Sequence, residues 1–287
     1  MDTLKPQAPG TPPDVSADHA PSGPSRSVPG NIARYLAHVF AIADMELRKL
    51  RRDPTELVSR AVQPMLWLLV FGQVFARGHV VPTGALDYID FLTPGILAQS
   101  VLFVAIFNGI SIIWERDLGI VHKFLVSPTP RTALVLGKAV TSGARAMSQA
   151  VIIYLLALML EVKMQWTVSA IAGVVLLVLL GAALFSTFSL IIACIVKTRE
   201  RFMGIGQILT MPLFFASNAI YPTEIMPDWL KVIVHLNPLT YEVDGLRTLM
   251  LAGGVSSVGL PLDFAMLIGV LALLVVVAGW IYPNIVN

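Results

Sequence analysis

Residues 168 to 196 read VSAIAGVVLLVLLGAALFSTFSLIIACIV, a run without one charged side chain, set between Lys163 and Lys197. A helix needs about 20 consecutive apolar residues to cross the roughly 30 Å of hydrocarbon in a bilayer, and this run exceeds that length. The whole chain agrees with it. Of 287 residues, 56% are hydrophobic and 13% charged, too few polar groups to cover a water-soluble domain of this size. The solvent implied is a bilayer, and the fold class is an all-α integral membrane protein.

Working outward, six apolar stretches approach spanning length: 56–76, 91–113, 132–160, 168–196, 202–220 and 262–283. The third is long enough to tilt or to project beyond the membrane. Basic residues give the orientation. Arg48, Lys49, Arg51 and Arg52 precede the first span; Arg116, Lys123, Arg131 and Lys138 flank the second connector; Lys197, Arg199 and Arg201 fill the fourth. The opposite side holds only Arg77, Lys163, Lys231 and Arg247, so both termini are expected in the cytoplasm, in a multi-pass protein of the cell (inner or plasma) membrane. The net charge of +2 argues against a nucleic-acid partner. The single cysteine, Cys194, lies in an apolar run and excludes an internal disulfide or a cysteine metal cluster.

The first 30 residues are rich in Pro, Ser, Gly and Ala, lack an apolar core of signal-peptide type, and read as a disordered cytoplasmic tail. From 31 to 52 the pattern changes. Ile32, Tyr35, Leu36, Val39, Phe40, Ala43, Leu47 and Leu50 recur at helical spacing with basic residues on the other faces. This reads as an amphipathic helix on the membrane surface, the other reading being a helix packed on a partner. Asp53, Pro54 and Glu56 then supply a cap, a first-turn proline and a capping-box acid, so a new helix starts there.

The second connector, ERDLGIVHKFLVSPTPR at 115–131, is charged and punctuated by proline. Leu118, Val121 and Leu125 can share one face of a short helix while Arg116, Asp117 and Lys123 stay wet. On residues alone it is either a contact helix or a solvated loop that enforces topology. The stretch 221–247, YPTEIMPDWLKVIVHLNPLTYEVDGLR, contains apolar pieces too short to span, broken at Pro227 and Pro238. Reentrant or interfacial helices fit it best, with Trp229 and Tyr241 suited to the interface. Asp244 and Arg247 are spaced to pair at i, i+3.

Within the spans, Ser142, Arg145 and Gln149 form a polar stripe on the third. A charge there should face protein or water. Arg145 and Gln149 are candidates for a translocation path; a structural bond or a snorkelling position near the cytoplasmic surface is the alternative for Arg145. Gln63, Asn108, Gln207 and Asn218 read as interhelical hydrogen-bond formers. No catalytic residue set, no metal-ligand spacing and no phosphate-binding GxxxxGK[ST] loop is legible. ATP and magnesium therefore have no site in this chain.

The motif E-R-D-x-G-x-x-x-K-F-L-V-S-P at 115–128, followed by L-x-L-G-K at 134–138, resembles the cytoplasmic signature of type-2 ABC transporter permeases of the drug-resistance and lipo-oligosaccharide export class. The 221–247 stretch is similar to that family's outward segment between spans five and six. The chain departs from the pattern at Ile120 and Pro130. The resemblance covers 31–287 and implies a type-2 ABC transmembrane domain, with the interfacial helix at 31–52 and a six-span bundle at 56–283. It implies that Glu115, Arg116, Asp117, Leu118, Gly119, Lys123, Leu125, Ser127 and Pro128 form a coupling helix docking on a separate ATPase subunit. Trp229, Asn237, Pro238, Tyr241, Asp244 and Arg247 would form an outer gate. Two permease copies, identical or closely paralogous, and two ATPase copies binding ATP and Mg would make the transporter. The expected activity is export of an amphipathic drug-like molecule, a lipid or a lipid-linked saccharide, without enzymatic chemistry in this chain. An ion-coupled secondary transporter is the alternative, and scarce acids at span centres and the lack of an internal repeat weigh against it.

Overall fold

The computed structural model describes residues 59, 62–78, 81–84, 86–117, 131–196 and 198–281. The first helical segment, α1, is π-helical over Leu66–Gly72 and continues as an α-helix over Gln73–Gly78. It is followed by α2 (Tyr88–Asp117), α3 (Arg131–Met159), α4 (Val168–Ile195) and α5 (Arg199–Phe215). A 3-10 turn at Thr223–Ile225 leads into two short helices, α6 (Asp228–Leu236) and α7 (Pro238–Met250), and the described part ends with α8 (Leu260–Ile281). The only pairing of strand type among the described residues is an isolated bridge between Met164 and Leu251.

Local sequence explains the boundaries. Thr167 caps α4 by accepting from the Ala170 amide, and Thr198 caps α5 by accepting from Arg201. Asn237 ends α6 and caps α7, with Pro238 in the first-turn position where its missing N–H costs nothing. Arg199, one residue into α5, lies 3.8 Å over the Trp114 ring and ties the start of α5 to the last turns of α2.

Among the described residues, four helices hold windows long and apolar enough to cross a membrane: Tyr88–Ile110, Ala139–Met159, Val168–Ile195 and Leu260–Ile281. The third expected span is a 29-residue helix whose apolar window opens only at Ala139, so its first turns extend beyond that window. The fifth is shorter than the expected 202–220. It has 17 residues and stops at Phe215, after which 216–221 form turns. At 1.5 Å per residue that is about 26 Å, just under a hydrocarbon thickness. Only part of the first expected span is described, and its residues form α1 with its π-helical section. The tail 1–30, the interfacial helix 31–52 and the connector 118–130 lie outside the described residues.

Helix α4 is central, packing against α2, α3, α7 and α8. The core joins Leu92, Ile96, Val101 and Leu102 of α2 to Val174, Leu177, Val178 and Phe185 of α4, with Ile153 of α3 and Val243 and Leu246 of α7. Around the rim, Ile268, Leu273, Val276 and Trp280 of α8 are exposed, as an apolar face turned to lipid requires. Short α7 is the exception to apolar packing. Every residue from Leu239 to Arg247 on it is buried, Glu242, Asp244 and Arg247 included. Two glycines allow the close fit. A Cβ at Gly95 on α2 would run into the backbone of Ala219, and one at Gly181 on α4 would run into the Glu242 carboxyl.

Candidate functional site

Among the described residues, two polar regions stand out in the apolar bundle. The first surrounds α7. Asn237 is its hinge: Nδ2 donates to the carbonyl oxygens of Leu213 and Ala216, each at 2.7 Å, and Oδ1 accepts from the Leu239 amide at 3.1 Å. One side chain thus satisfies orphan carbonyls at the end of α5 and an orphan amide at the start of α7. Tyr241 donates to the His235 carbonyl at 2.7 Å and Thr240 to that of Val234 at 2.8 Å, which fixes the corner between α6 and α7.

Deeper on α7, Asp244 Oδ2 accepts from the Ser257 amide and hydroxyl, both at 2.7 Å, and from Ser256 Oγ at 3.0 Å. Ser256 Oγ also stands 2.9 Å from Asp263 Oδ2 while accepting from the Gly259 amide. With one hydroxyl proton, Ser256 can donate to only one carboxylate at a time. Arg247 turns the other way. Its Nη2 donates to the Asn218 carbonyl at 2.8 Å and more weakly to that of Phe91 at 3.4 Å, with the guanidinium 3.8 Å over the Phe91 ring. The i, i+3 ion pair expected between Asp244 and Arg247 is therefore not made. Asp244 is held chiefly by the 256–257 segment and Arg247 by the turn after α5, because on a helix packed on all sides the side chains reach outward to other elements. Asn218, expected to bond between helices, lies instead in the turn after α5, from which its Nδ2 donates to Asp244 Oδ1 of α7 at 3.5 Å.

The second region is a cavity of about 350 Å³ lined by Ser59, Gln63, Pro64 and residues of α2 and α3. On α2, Ser100, Phe103, Val104, Phe107 and Asn108 follow the i, i+3, i+4, i+7, i+8 spacing of one face. On α3, Arg145 and Gln149 stand one turn apart. Arg145 Nη1 donates to Asn108 Oδ1 at 2.8 Å, across the two helices. Gln149 is only 2% exposed. The stripe expected on the third span thus divides: Arg145 and Gln149 line the cavity with Gln63 and Asn108, while Ser142 is fully buried outside its lining.

The remaining expected residues are scattered. Trp229 is 68% exposed on α6, in line with Val232, Ile233 and Leu236 on one apolar stripe. Pro238 opens α7. Glu115, Arg116 and Asp117 close α2, and Leu118, Gly119, Lys123, Leu125, Ser127 and Pro128 lie outside the described residues. Sequence reasoning missed the parts played by Ser256, Ser257 and Asp263; the one signal available was an acid at the head of the last apolar run. Across two connectors, Lys163 Nζ and Asp87 Oδ2 form an exposed ion pair at 2.8 Å. The hydrogen bond and charge of Lys163 hold the Asp87 carboxyl below its ordinary value, and Asp87 raises the Lys163 ammonium in return.

Comparison with known proteins follows the same lines. The profile of a family described as ABC-2 type transporter matches residues 37–251. The transport permease ycf38 of Cyanophora paradoxa is 29% identical over 217 residues, 75% of this chain and 74% of that protein. The daunorubicin resistance ABC transporter permease protein DrrB1 of Streptomyces coeruleorubidus is 25% identical over 197 residues, 69% of each chain. The inner membrane transport permease YadH of Escherichia coli K12 is 24% identical over 216 residues, 74% of this chain and 81% of that one.

Proposed function

The chain belongs to the ABC-2 type transporter family, and from that premise we propose that it is the membrane subunit of an ATP-driven exporter that carries an amphipathic drug-like, lipid or lipid-linked saccharide cargo out of the cytoplasm or inner leaflet. The observation that carries this reading is the cavity at Arg145, Asn108 and Gln149, a polar recess in a bundle whose apolar faces are otherwise turned to lipid. A charged side chain placed there is costly unless it faces protein, water or cargo. Six spans with both termini in the cytoplasm follow from the basic-residue asymmetry, α1 and α5 supplying the first and fifth crossings. In the same reading, two copies of the permease, or this chain and a close paralogue, flank the route. Two ATPase subunits bind ATP and Mg and dock on the segment that runs from Glu115 to Pro128. The α5–α7 corner, with Asn237, Tyr241, Asp244 and Arg247, closes the route at the outer side.

Copurification tests the division of labour. Substituting aspartate for Leu118 and Leu125 would bury charges in the proposed ATPase cleft while sparing membrane insertion. The double variant should insert at wild-type level yet lose its ATPase, and reconstituted vesicles should lose ATP-dependent transport. Retention of the ATPase at wild-type yield would sink the coupling assignment. Transport driven by an ion gradient without ATP would favour the secondary-carrier alternative.

A further inference from the structure

Ser256 stands between two buried carboxyl groups, Asp244 of α7 and Asp263 of α8, at 3.0 Å from Oδ2 of the first and 2.9 Å from Oδ2 of the second. A serine hydroxyl has one proton to give and two lone pairs with which to accept. The Gly259 amide donates to one lone pair at 2.7 Å. When Ser256 donates to Asp244, only its second lone pair faces Asp263 Oδ2, and a bare carboxylate oxygen has no proton to place there. A protonated Asp263 does. Its O–H donates to Ser256, Ser256 donates onward to Asp244, and every proton of the chain has a destination.

The other oxygen of Asp263 points to the same count. Oδ1 is buried and has no hydrogen-bond partner among the described residues. A full charge on this carboxyl would have at most one donor in a fully buried position, and an uncompensated buried charge is far costlier than a neutral polar oxygen. The positive end of α8 eases such a charge but supplies no donor to Oδ1. Asp244 differs, because the Ser257 amide, the Ser257 hydroxyl and Ser256 converge on its Oδ2, as suits an ionised group.

The surrounding charges leave the pair without a counter-ion of its own. Helix α8 packs against α3, α4 and α7, and its one charged residue is Asp263. Helix α4 is uncharged. On α7, Arg247 is turned to Asn218 and Phe91, Glu242 lies against Gly181, and Tyr241 donates to the His235 carbonyl. The end of α3 adjoins the start of the 252–259 connector through bonds from Gln165 to Met250 and from Ala252 to Lys163. Arg131, Lys138 and Arg145 lie far back along α3, and only Tyr154 comes within two turns of that end. Beyond it, Glu161 is exposed and Lys163 pairs with Asp87. From α2, packed on α7, come Tyr88, bonded to the Ile220 carbonyl, and buried Asp90, while Glu115, Arg116 and Asp117 close its far end. From α6 come exposed His235 and the pair Asp228–Lys231.

We propose that Asp244 and Asp263 hold one proton between them through Ser256, and that this proton locks the 252–259 connector to α7 and to the head of α8. Its loss leaves two buried carboxylates competing for one hydroxyl, and the connector parts from α8. The lock needs neither ATP nor a partner and does not rest on the export reading.

The test uses the full chain in nanodiscs. Infrared difference spectra, wild type minus Asp263→Asn at neutral pH, should show the C=O stretch of one protonated carboxyl, shifted in D2O. The amide of Asp263→Asn can still donate to Ser256, as the neutral acid does, so this variant should fold. Melting supplies the second readout. Unfolded carboxyls lose their protons near about pH 3.9, so above that pH a folded pair that keeps one binds more protons than the unfolded chain. The folding constant then falls by up to about tenfold per pH unit until the pair itself ionises. Wild type should therefore lose stability relative to Asp263→Asn as pH rises from about 5, and stop losing it where the infrared band vanishes. His235 and the other titrating groups are common to both proteins and cancel. Absence of the band, or a melting difference that is flat with pH, overturns the proposal. If Asp263→Asn does not fold, Ser256→Ala carries the test: the carboxyl band should move to higher frequency on losing its acceptor, and an unmoved band overturns the proposal. Sodium or calcium ions at millimolar concentration should leave the melting of both proteins alike. Ion-dependent stabilisation of wild type that is absent in Asp263→Asn would assign the site to a metal cation and overturn the proton.

Discussion

Arg247 of α7 donates through Nη2 to the carbonyl oxygen of Asn218 at 2.8 Å, in the turn that follows α5, and so fastens the short buried helix to the end of its neighbour. Its acidic near-neighbour Asp244 is held chiefly by Ser256 and Ser257, with Asn218 reaching both residues. The two charges anchor α7 mainly to different segments, and that decides what exchanging them should do.

Asp244→Arg and Arg247→Asp should each destabilise the packing around α7, since each strands a buried charge, an effect of about 3–5 kcal/mol. The double exchange should not rescue, because each new charge meets the other's former partners. Surface expression and thermal melting of the three variants check this; recovery in the double variant would mean that the pair interacts directly.

Asn237→Ala removes the cap of α7 and leaves the Leu213 and Ala216 carbonyls without their donor. The cap contributes about 1 kcal/mol and each stranded buried group adds about 1–3. Asn237→Asp keeps the cap acceptor but loses the donor, so it should fall between wild type and alanine in a melting series in detergent. A wild-type melting point for Asn237→Ala would contradict the hinge role.

Glu242 is fully buried against Gly181, and neither carboxyl oxygen has a hydrogen-bond partner among the described residues. Glu242→Leu should therefore stabilise the purified protein by about 1–3 kcal/mol by removing an uncompensated polar group. Gly181→Val should destabilise it, because the added side chain has no room beside the carboxyl. Melting of both variants decides; destabilisation by Glu242→Leu would imply that the carboxyl is satisfied in the working transporter.

The Asp87–Lys163 pair has a defined pH window. A lowered Asp87 value means that its contribution is complete above the unfolded carboxylate value of about 3.9 and fades as pH falls through the folded value. A raised Lys163 value means that its contribution is complete below about 10.4 and fades as pH rises further. The melting difference between wild type and Asp87→Asn should thus be flat from about pH 5 to 9 and shrink in stronger acid and in stronger base. A step between about pH 6 and 8 would point to another titrating partner.

By itself the sequence determined the medium and the main pillars. The uncharged run at 168–196 needs no tertiary information to be a membrane helix, since hydrocarbon excludes unpaired backbone and an apolar helix satisfies its own. The starts of α6 after Pro227 and of α7 at Pro238 were legible for the same local reason: proline's missing donor and fixed φ act within a turn of the chain. The end of α5 at Phe215 was not, because the apolar pattern runs on past it and the stop depends on Asn237, more than twenty residues later, holding the Leu213 and Ala216 carbonyls. Nor was the partnership of Asp244. Spacing offered Arg247 at i, i+3, but a helix buried on every side gives each polar group several neighbours from distant segments, and only packing chooses among them. The cavity lies between these cases: Arg145 and Gln149 stood out as a polar stripe, yet their meeting with Asn108 and Phe107 needed α2 and α3 to be set side by side.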